Sequence, residues 1–231
     1  MSKDHEWEKE KSWIEADLKG LYPPNKITKI QGALELIRDE NFSGKKVLDN
    51  GCGAGWFGKI IQDKGAEVIG TDISDALLEE ASKYIPTKKA SSCELPFGDQ
   101  AFDYIVSIMV LHIFDDPDQT IEESWRVLKP GGKFYVGIVH PMADKWNEET
   151  GLCYLDPASY DKIEERTWIF NLTDGRKFTK HYLHRPLSFY ESKFSRLFMI
   201  NRKLEPKLPE KMRENGKYAS TEYLFFELIK K

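Results

Sequence analysis

Between residues 47 and 139, short apolar segments alternate with segments of helical periodicity, and this alternation restricts the possible folds more than any other feature. In chain order the pattern predicts strand 47–49, helix 56–64, strand 68–71, helix 75–83, strand 102–108, helix 118–128, a turn at 130–132 and strand 133–139. Apolar strands that alternate with amphipathic helices form a parallel sheet with helices on both faces. We therefore expect a doubly wound α/β fold that binds its ligands at the carboxyl ends of the strands.

A glycine-rich turn follows the first predicted strand. Asp49 ends the apolar run, and Gly51, Gly53 and Gly55 follow at every second position before a helix-compatible segment. Glycine allows a ligand to lie directly on the backbone, and the N-terminus of the next helix offers free N–H groups. The turn is therefore interpreted as a loop for a nucleotide-type cofactor, although a glycine turn without a ligand remains an alternative.

Two classes of cofactor fit this loop. Residues 53–58 satisfy the G-x-G-x-x-G pattern of dinucleotide-binding proteins, and Asp72 follows at the distance of about 20 residues that this pattern requires. Asp49, however, would stand beside the pyrophosphate of a dinucleotide and would repel it. S-adenosylmethionine carries an ammonium and a sulfonium group, which a carboxylate attracts. The residues therefore favour S-adenosylmethionine, with an NAD-dependent oxidoreductase as the alternative.

Composition and charge restrict the partners. The 231 residues can bury a substantial core, and the formal net charge of −4 provides no basic excess for a nucleic-acid backbone. No apolar run reaches the ~18 residues of a membrane span, and the polar first residues differ from a signal peptide. Three cysteines without metal-ligand spacing (Cys52, Cys93 and Cys153) indicate reduced thiols in a cytoplasmic protein and no metal site.

The segments around the core predict the organisation of the chain. We expect a single domain over residues 1–231 with four parts: an N-terminal helical cap (1–44) interrupted at 21–25, a cofactor-binding core (45–141), an inserted lid over the acceptor (142–188) and C-terminal strands (189–231). Within the lid, two apolar runs around Asp174-Gly175 predict a hairpin. The charged segment 205–218 predicts a loop.

Five motifs within the core together resemble a known family. They are Val47–Gly55, Gly70–Ser74, Leu95–Asp103, Leu111–Pro117 and Arg126–Gly132. In this order they resemble class I S-adenosylmethionine-dependent methyltransferases of the small-molecule type (the type 11 domain), which includes the ubiquinone and menaquinone methyltransferases. The resemblance covers residues 45 to 140. It implies a Rossmann-like, mostly parallel seven-stranded sheet that binds S-adenosylmethionine.

The resemblance also implies which residues hold the cofactor. They are Asp49, Gly51, Cys52, Gly53 and Gly55 around its methionine part, Asp72 at the ribose, Ile73 against the adenine, and Ser91, Ser92, Cys93 and Ser107 as the remaining members of the site. One position departs from the family, which usually has an aspartate where this chain has Ser91. A hydroxyl accepts the hydrogen bond of the adenine amine more weakly than a carboxylate does. We therefore expect Ser91, or the backbone of the two residues that follow it, to contact the adenine.

Three histidines are candidates for a catalytic base. His112 follows the predicted strand 102–108, His140 comes directly after the predicted strand 133–139, and His184 follows the hairpin of the insertion. A base is needed only where the acceptor must lose a proton, because the leaving thioether is neutral. The strand-end position favours His140. His112 fits a structural role in its loop equally well, and His184 with Arg185 fits either a wall of the acceptor pocket or an anchor for the lid.

The expected reaction is an in-line methyl transfer to an oxygen or nitrogen atom of a small-molecule acceptor. Aromatic residues concentrated in the N-terminal segment and the insertion favour a partly apolar acceptor. C-methylation of a quinone and methylation of tRNA or protein remain open within this class. A cofactor-binding protein without catalysis is a further alternative, and the sequence does not determine the oligomeric state.

Overall fold

The computed structural model describes residues 26–114, 116–142, 145–147, 152–154, 160–171, 175, 177–206 and 222–231. The helix expected before residue 21 and most of the loop expected at 205–218 lie outside these residues. The described elements are α1 (Lys26–Leu36), β1 (Lys46–Asn50), α2 (Trp56–Asp63), β2 (Glu67–Asp72), α3 (Asp75–Ala81), β3 (Thr87–Lys89), β4 (Phe102–Ile108), a 3₁₀ turn (Leu111–Ile113), α4 (Asp118–Val127), β5 (Leu128–Val139), β6 (Lys145–Asn147), β7 (Leu152–Tyr154), β8 (Glu164–Asn171), β9 (Lys177–His184), α5 (Leu187–Leu197), β10 (Phe198–Leu204) and β11 (Tyr223–Lys230).

A seven-stranded sheet forms the centre of the molecule, in the order β10–β11–β5–β4–β1–β2–β3. The strands from β5 to β3 pair in parallel, whereas β11 and β10 pair antiparallel beside β5. This confirms the expected doubly wound, mostly parallel sheet. The strand order reverses between β1 and β4, and ligands of such sheets bind in the crevice at this point.

Apolar side chains cover both faces of the sheet. On one face, α1 and α2 contribute Ala33, Leu36 and Ile61 to a buried cluster around Val47 and Val106. On the other face, residues of α4 and α5 pack against the alternate positions of the same strands. The segment 26–40 therefore contributes to the main core. The burial of β1 and β4 on both faces explains why their sequences are continuous apolar runs.

The fifth strand differs from its prediction at Pro130-Gly131-Gly132. A turn was expected there, but β5 continues through these residues, and its pairing with β4 shifts register between Phe102 and Tyr104. A Cβ on Gly132 would lie 2.8 Å from the backbone oxygen of Asp103, so glycine permits this close approach. The turn-forming residues therefore produce an irregularity within a strand.

Short strands were missed by the sequence. The edge strand β3 and the pair β6–β7 have three residues each, which is too short for an alternating pattern to be read. The hairpin expected around Asp174-Gly175 is confirmed, since β8 and β9 pair antiparallel. In the described ranges, no helix combines the length and apolarity that crossing a bilayer requires.

Candidate functional site

The glycine turn lies at the carboxyl end of β1 and is attached to β2. The N–H groups of Gly51 and Cys52 both donate to the backbone oxygen of Thr71, at 2.8 and 2.9 Å. Gly53 adopts a left-handed conformation with φ of 54°, and no atom lies within 4 Å of the position that a Cβ would occupy there. The turn therefore exposes a stretch of backbone with open space above it, which is the shape a cofactor loop requires.

The side chain of Cys52 points away from this open space. It is buried against Leu78 and Ala81 of α3, and a Cβ on Gly70 would lie 2.7 Å from its Sγ. Burial raises the pKa of the thiol, with the negative charges of Asp49 and Asp72 as smaller causes. Cys52 can therefore contribute only backbone groups to the site.

Asp72 ends β2 and joins two loops. Its Oδ2 accepts the N–H of Gly53 at 2.9 Å, and its Oδ1 accepts the N–H of Ser74 at 3.0 Å. A carboxylate has about four lone-pair sites, so both oxygens keep the capacity to accept hydroxyl groups. Ile73 is half-buried beside it, as contact with an adenine ring would require.

Asp49 is buried beneath the glycine turn, with 2% of its surface exposed. Within the described residues its Oδ2 has no hydrogen-bond partner, and a Cβ on Gly58 of α2 would lie 2.9 Å from this oxygen. Burial raises the pKa of Asp49 to about 7; the N–H of Gly58 opposes this rise, and the charge of Asp72 adds to it. A buried carboxyl with a raised pKa favours a cation placed nearby, because the cation stabilises its ionised form.

The Ser91–Cys93 loop turns its side chains inward. Oγ of Ser91 accepts the N–H of Cys93 at 3.2 Å, Oγ of Ser92 donates to Oδ1 of Asn50 at 2.8 Å, and Sγ of Cys93 lies 3.3 Å from Oγ1 of Thr120. With these side chains engaged within the protein, the loop offers chiefly backbone groups to a ligand. Asn50 was not among the predicted site residues. The feature of the sequence that could have identified it is a polar side chain at the end of a buried apolar strand.

Ser107 lies beside Asn50 in the neighbouring strand. Asp49 of β1 pairs with Val106 of β4, so the residues that follow them are neighbours on one face. Ser107 is fully buried, and its Oγ has no hydrogen-bond partner within the described residues.

The three candidate histidines line one pocket. Its walls are formed by His112, Val139, His140, Pro141, Tyr182, Leu183, His184, Arg185 and Tyr190, and it is partly open to solvent. The segment that enters the pocket also lies against the glycine turn, since a Cβ on Gly51 would lie 2.3 Å from Cγ2 of Val110. His112 follows two residues later in the 3₁₀ turn. The strand-end residue His140 and the loop residue His112 thus lie in one pocket with His184 of the insertion.

The backbone between β4 and this turn is strained. Met109 has a φ of 69°, which is rare for a residue with a side chain, and its N–H donates to the oxygen of Gly137 at 2.7 Å. Strain of this kind persists only where the surrounding structure enforces it, and it clusters at functional sites.

His140 is held in one tautomer. Its Nδ1 accepts the N–H of Met142 at 2.9 Å, so its Nε2 carries the ring proton and lies 3.7 Å from Oε1 of Glu205. Burial lowers the pKa of His140 against the opposing effect of Glu205. With its lone pair directed at Met142, the imidazole is arranged as a donor, not as a base.

His184 is held in the same tautomer, but by a contact at its other ring nitrogen. Its Nε2 lies 2.8 Å from the backbone oxygen of Tyr160, which can only accept, so Nε2 carries the proton and Nδ1 is the acceptor nitrogen of the ring. Burial lowers the pKa of His184, which favours the neutral form. Arg185 next to it donates to the backbone oxygen of Phe114 and lies over the ring of Phe189 at 5.1 Å. Arg185 therefore anchors the end of β9 to the segment after the 3₁₀ turn.

The described residues contain no group of three or more histidine, cysteine, aspartate or glutamate side chains that could hold a metal ion. The chemistry of the site therefore has to be sought in the glycine turn, the strand-end carboxylates and the histidine pocket.

Comparison with known proteins assigns this architecture. A family model described as a methyltransferase domain matches residues 48–136. The ubiquinone biosynthesis O-methyltransferase of Pseudomonas fluorescens is 31% identical over 111 residues, covering 43% of this chain and 47% of that protein. The biotin biosynthesis bifunctional protein BioHC of Cellvibrio japonicus is 35% identical over 100 residues, covering 42% of this chain and 20% of that protein. The chain thus spans less than half the length of these curated relatives.

Solved structures agree with the fold. The S-adenosylmethionine-dependent methyltransferase of Mesorhizobium loti has a TM-score of 0.64 at 20% identity, over 87% of this chain and all of that one. A structure from Listeria monocytogenes has a TM-score of 0.71 at 24% identity, over 89% of this chain and 97% of that one. Residues 48–136 therefore match the methyltransferase domain family, and the chain as a whole has the fold of these methyltransferase structures.

Proposed function

We propose that this chain transfers the methyl group of S-adenosylmethionine to a small-molecule acceptor bound in the histidine pocket. The observation that carries the proposal is the position of both parts at the same edge of the sheet, since Val110 lies against Gly51 and His112, two residues later, lines the pocket. When bound, S-adenosylmethionine supplies a methyl group on a sulfonium, and its transfer leaves a neutral thioether. An acceptor atom held in line with that methyl group needs mainly alignment and removal of water to react.

The residues present fit this cofactor. The open space above Gly53 accommodates a ligand on the backbone, and Asp72, which binds the N–H groups of Gly53 and Ser74, supplies the carboxylate that ribose hydroxyls require. The buried carboxyl of Asp49 favours a positive ligand and disfavours a pyrophosphate. Asp49 acts through this charge from beneath the turn, and the backbone around Gly53 makes the direct contacts.

On the acceptor side, we assign the role of base to His184 where the acceptor must lose a proton. Its acceptor nitrogen Nδ1 and its neutral state suit proton abstraction. Nδ1 of His140 accepts the N–H of Met142, so we assign His140 a structural role in the wall of the pocket. The backbone N–H of His140 donates to the backbone oxygen of Glu222 at 2.9 Å, which attaches the end of β5 to the start of β11. His112 lines the same pocket from the 3₁₀ turn.

The pocket supports a small acceptor over a macromolecular one. Its buried aromatic wall of Tyr182 and Tyr190 suits a small, partly apolar molecule. The net charge of −4 does not favour tRNA. We extend the proposal to the insertion, whose hairpin β8–β9 supplies Tyr182 and His184 to the pocket and acts as the acceptor lid.

Calorimetric titration with S-adenosylhomocysteine, beside NAD and NADP, tests the cofactor. Binding of S-adenosylhomocysteine alone supports the proposal, and binding of a dinucleotide alone overturns it in favour of an oxidoreductase. Methyl transfer to a panel of phenols, hydroxy acids and amines then tests catalysis. Cofactor binding without transfer to any of them would favour the non-catalytic alternative.

A further inference from the structure

Asn50 is a polar residue in an otherwise apolar strand interior. It ends β1, is fully buried, and lies on the same face of the sheet as Leu48. Its Oδ1 accepts hydrogen bonds from Oγ of Ser92 at 2.8 Å and from Oγ1 of Thr71 at 3.4 Å. Asn50 therefore connects the strand before the glycine turn with the Ser91–Cys93 loop.

Only one end of this amide is satisfied within the described residues. Nδ2 of Asn50 has no hydrogen-bond partner there, and the same is true of Oγ of the neighbouring Ser107. Both hydroxyl partners can donate or accept, so turning the amide over exchanges its two ends but still leaves one of them without a partner. A buried unpaired amide group destabilises a fold. Packing alone would be served better by an apolar side chain, and the asparagine therefore requires another explanation.

The explanation lies in how the Ser91–Cys93 loop is attached. Ser91 uses its hydroxyl within its own turn, by accepting the N–H of Cys93. Cys93 contacts Thr120 of α4, and Ser92 donates to Asn50. The bond from Ser92 thus ties this loop directly to the strand that carries the glycine turn.

We propose that Asn50 is a positioning residue for the cofactor, because it holds the Ser91–Cys93 loop in register with the glycine turn so that the backbone groups of this loop face the adenine. This inference rests on the function proposed above. A carboxylate at position 91 would bind the adenine amine through its own charge, but a serine engaged in its own turn leaves recognition to backbone groups. The direction of backbone groups depends on the anchoring of their loop, so preorganisation by Asn50 replaces the missing charge.

The test compares Asn50→Leu and Ser92→Ala with Thr71→Val as the matched control. Thr71→Val removes the other hydrogen bond to the same amide but leaves the loop attached. The probes are S-adenosylhomocysteine and S-inosylhomocysteine, in which an oxygen replaces the adenine amine. We expect the wild type to prefer the adenine compound, and Asn50→Leu and Ser92→Ala to bind it about five- to tenfold more weakly. Both variants should also lose most of the preference between the two probes, whereas Thr71→Val should keep it.

Two further readouts separate positioning from folding. The double variant of Asn50 and Ser92 should bind no more weakly than Asn50→Leu alone, because both changes break the same bond. Amide hydrogen exchange at residues 91–94 should accelerate in both single variants and stay unchanged in Thr71→Val.

Several outcomes would overturn the inference. One is S-adenosylhomocysteine affinity in Ser92→Ala within twofold of the wild type; this variant removes a single oxygen, so it decides the matter even where Asn50→Leu does not fold. An equal loss for both probes would show a purely structural role, and a wild type that does not prefer the adenine compound would exclude recognition by this loop. A wild type that does not bind S-adenosylhomocysteine at all would instead refute the proposed function itself.

Discussion

Asp49→Asn provides the sharpest test of the electrostatics of the site. The substitution keeps an oxygen to accept the N–H of Gly58 but removes the ionisable group beneath the glycine turn. In the wild type, burial raises the pKa of Asp49 from 3.8 to about 7, so ionisation in the folded protein is unfavourable. The group therefore contributes no penalty below about pH 4 and a full penalty above about pH 7.

The size of this penalty follows from the shift in pKa. A rise from 3.8 to about 7 corresponds to about 4 kcal/mol, at about 1.4 kcal/mol for each unit. The stability of the ligand-free wild type, measured relative to Asp49→Asn, should therefore fall by up to about 4 kcal/mol between pH 4 and pH 7. Urea denaturation of both proteins across this range measures the difference, in which the other titrating groups cancel.

Cofactor affinity should depend on the ionisation of Asp49 in the opposite direction: it should rise with pH over the range in which stability falls. The ammonium group of S-adenosylhomocysteine favours ionised Asp49, so binding to the wild type should weaken about 30-fold from pH 8 to pH 5.5, and calorimetry should detect proton release on binding. Asp49→Asn should bind more weakly at pH 8 and vary little with pH. If both proteins show the same pH dependence of affinity and stability, the reasoning about Asp49 is refuted.

Further predictions concern the remaining parts of the site. Gly53→Ala should weaken S-adenosylhomocysteine binding by calorimetry and lower stability by about 1–2 kcal/mol, because φ is 54° and the open space above the turn becomes filled; Gly98→Ala, also without neighbours within 4 Å, is the control. Asp72→Asn replaces one acceptor oxygen by an amide donor that faces the N–H of Gly53 or of Ser74. Thermal denaturation should therefore show a loss of about 1–3 kcal/mol in the free energy of unfolding, and unchanged stability would argue against these hydrogen bonds. Once an acceptor is found, His184→Gln should lower kcat at least tenfold with unchanged cofactor affinity and His140→Gln should lower it less; the reverse order would move the base to His140.

The sequence predicted the core of the fold because its strands carry strong signals. The continuous apolar runs at Val47–Asp49 and Phe102–Ile108 have no other good explanation than strands buried on both faces, and Asp72 stands at the strand end where it was expected. At 130–132, where a turn was expected, the chain runs on within β5 but pairs with neither neighbouring strand, and Gly131 has a φ of 69°. The turn propensity of these residues therefore produces a bulge within the strand and does not end it.

The details of the site were beyond the sequence for a physical reason. Strand-end position favoured His140 over His184, but the proton positions of the two rings depend on Met142 and Tyr160, whose contacts arise only in the folded chain. The link from Asn50 to Ser92 spans 42 positions and follows no motif. Hydrogen-bond partners of this kind are set by tertiary packing and not by spacing along the chain.

The separation of the insertion from the main sheet has a consequence for how this protein can diversify. Within the described residues, β8 and β9 pair with each other in their own two-stranded sheet, while the seven strands of the main sheet keep a separate register. Substitutions in this hairpin can therefore change the pocket without shifting any strand that supports the glycine turn. Arg185, which follows β9, attaches this hairpin to the segment after the 3₁₀ turn by donating to the backbone oxygen of Phe114. Exchange of the hairpin between related chains should accordingly transfer acceptor preference while leaving cofactor affinity intact.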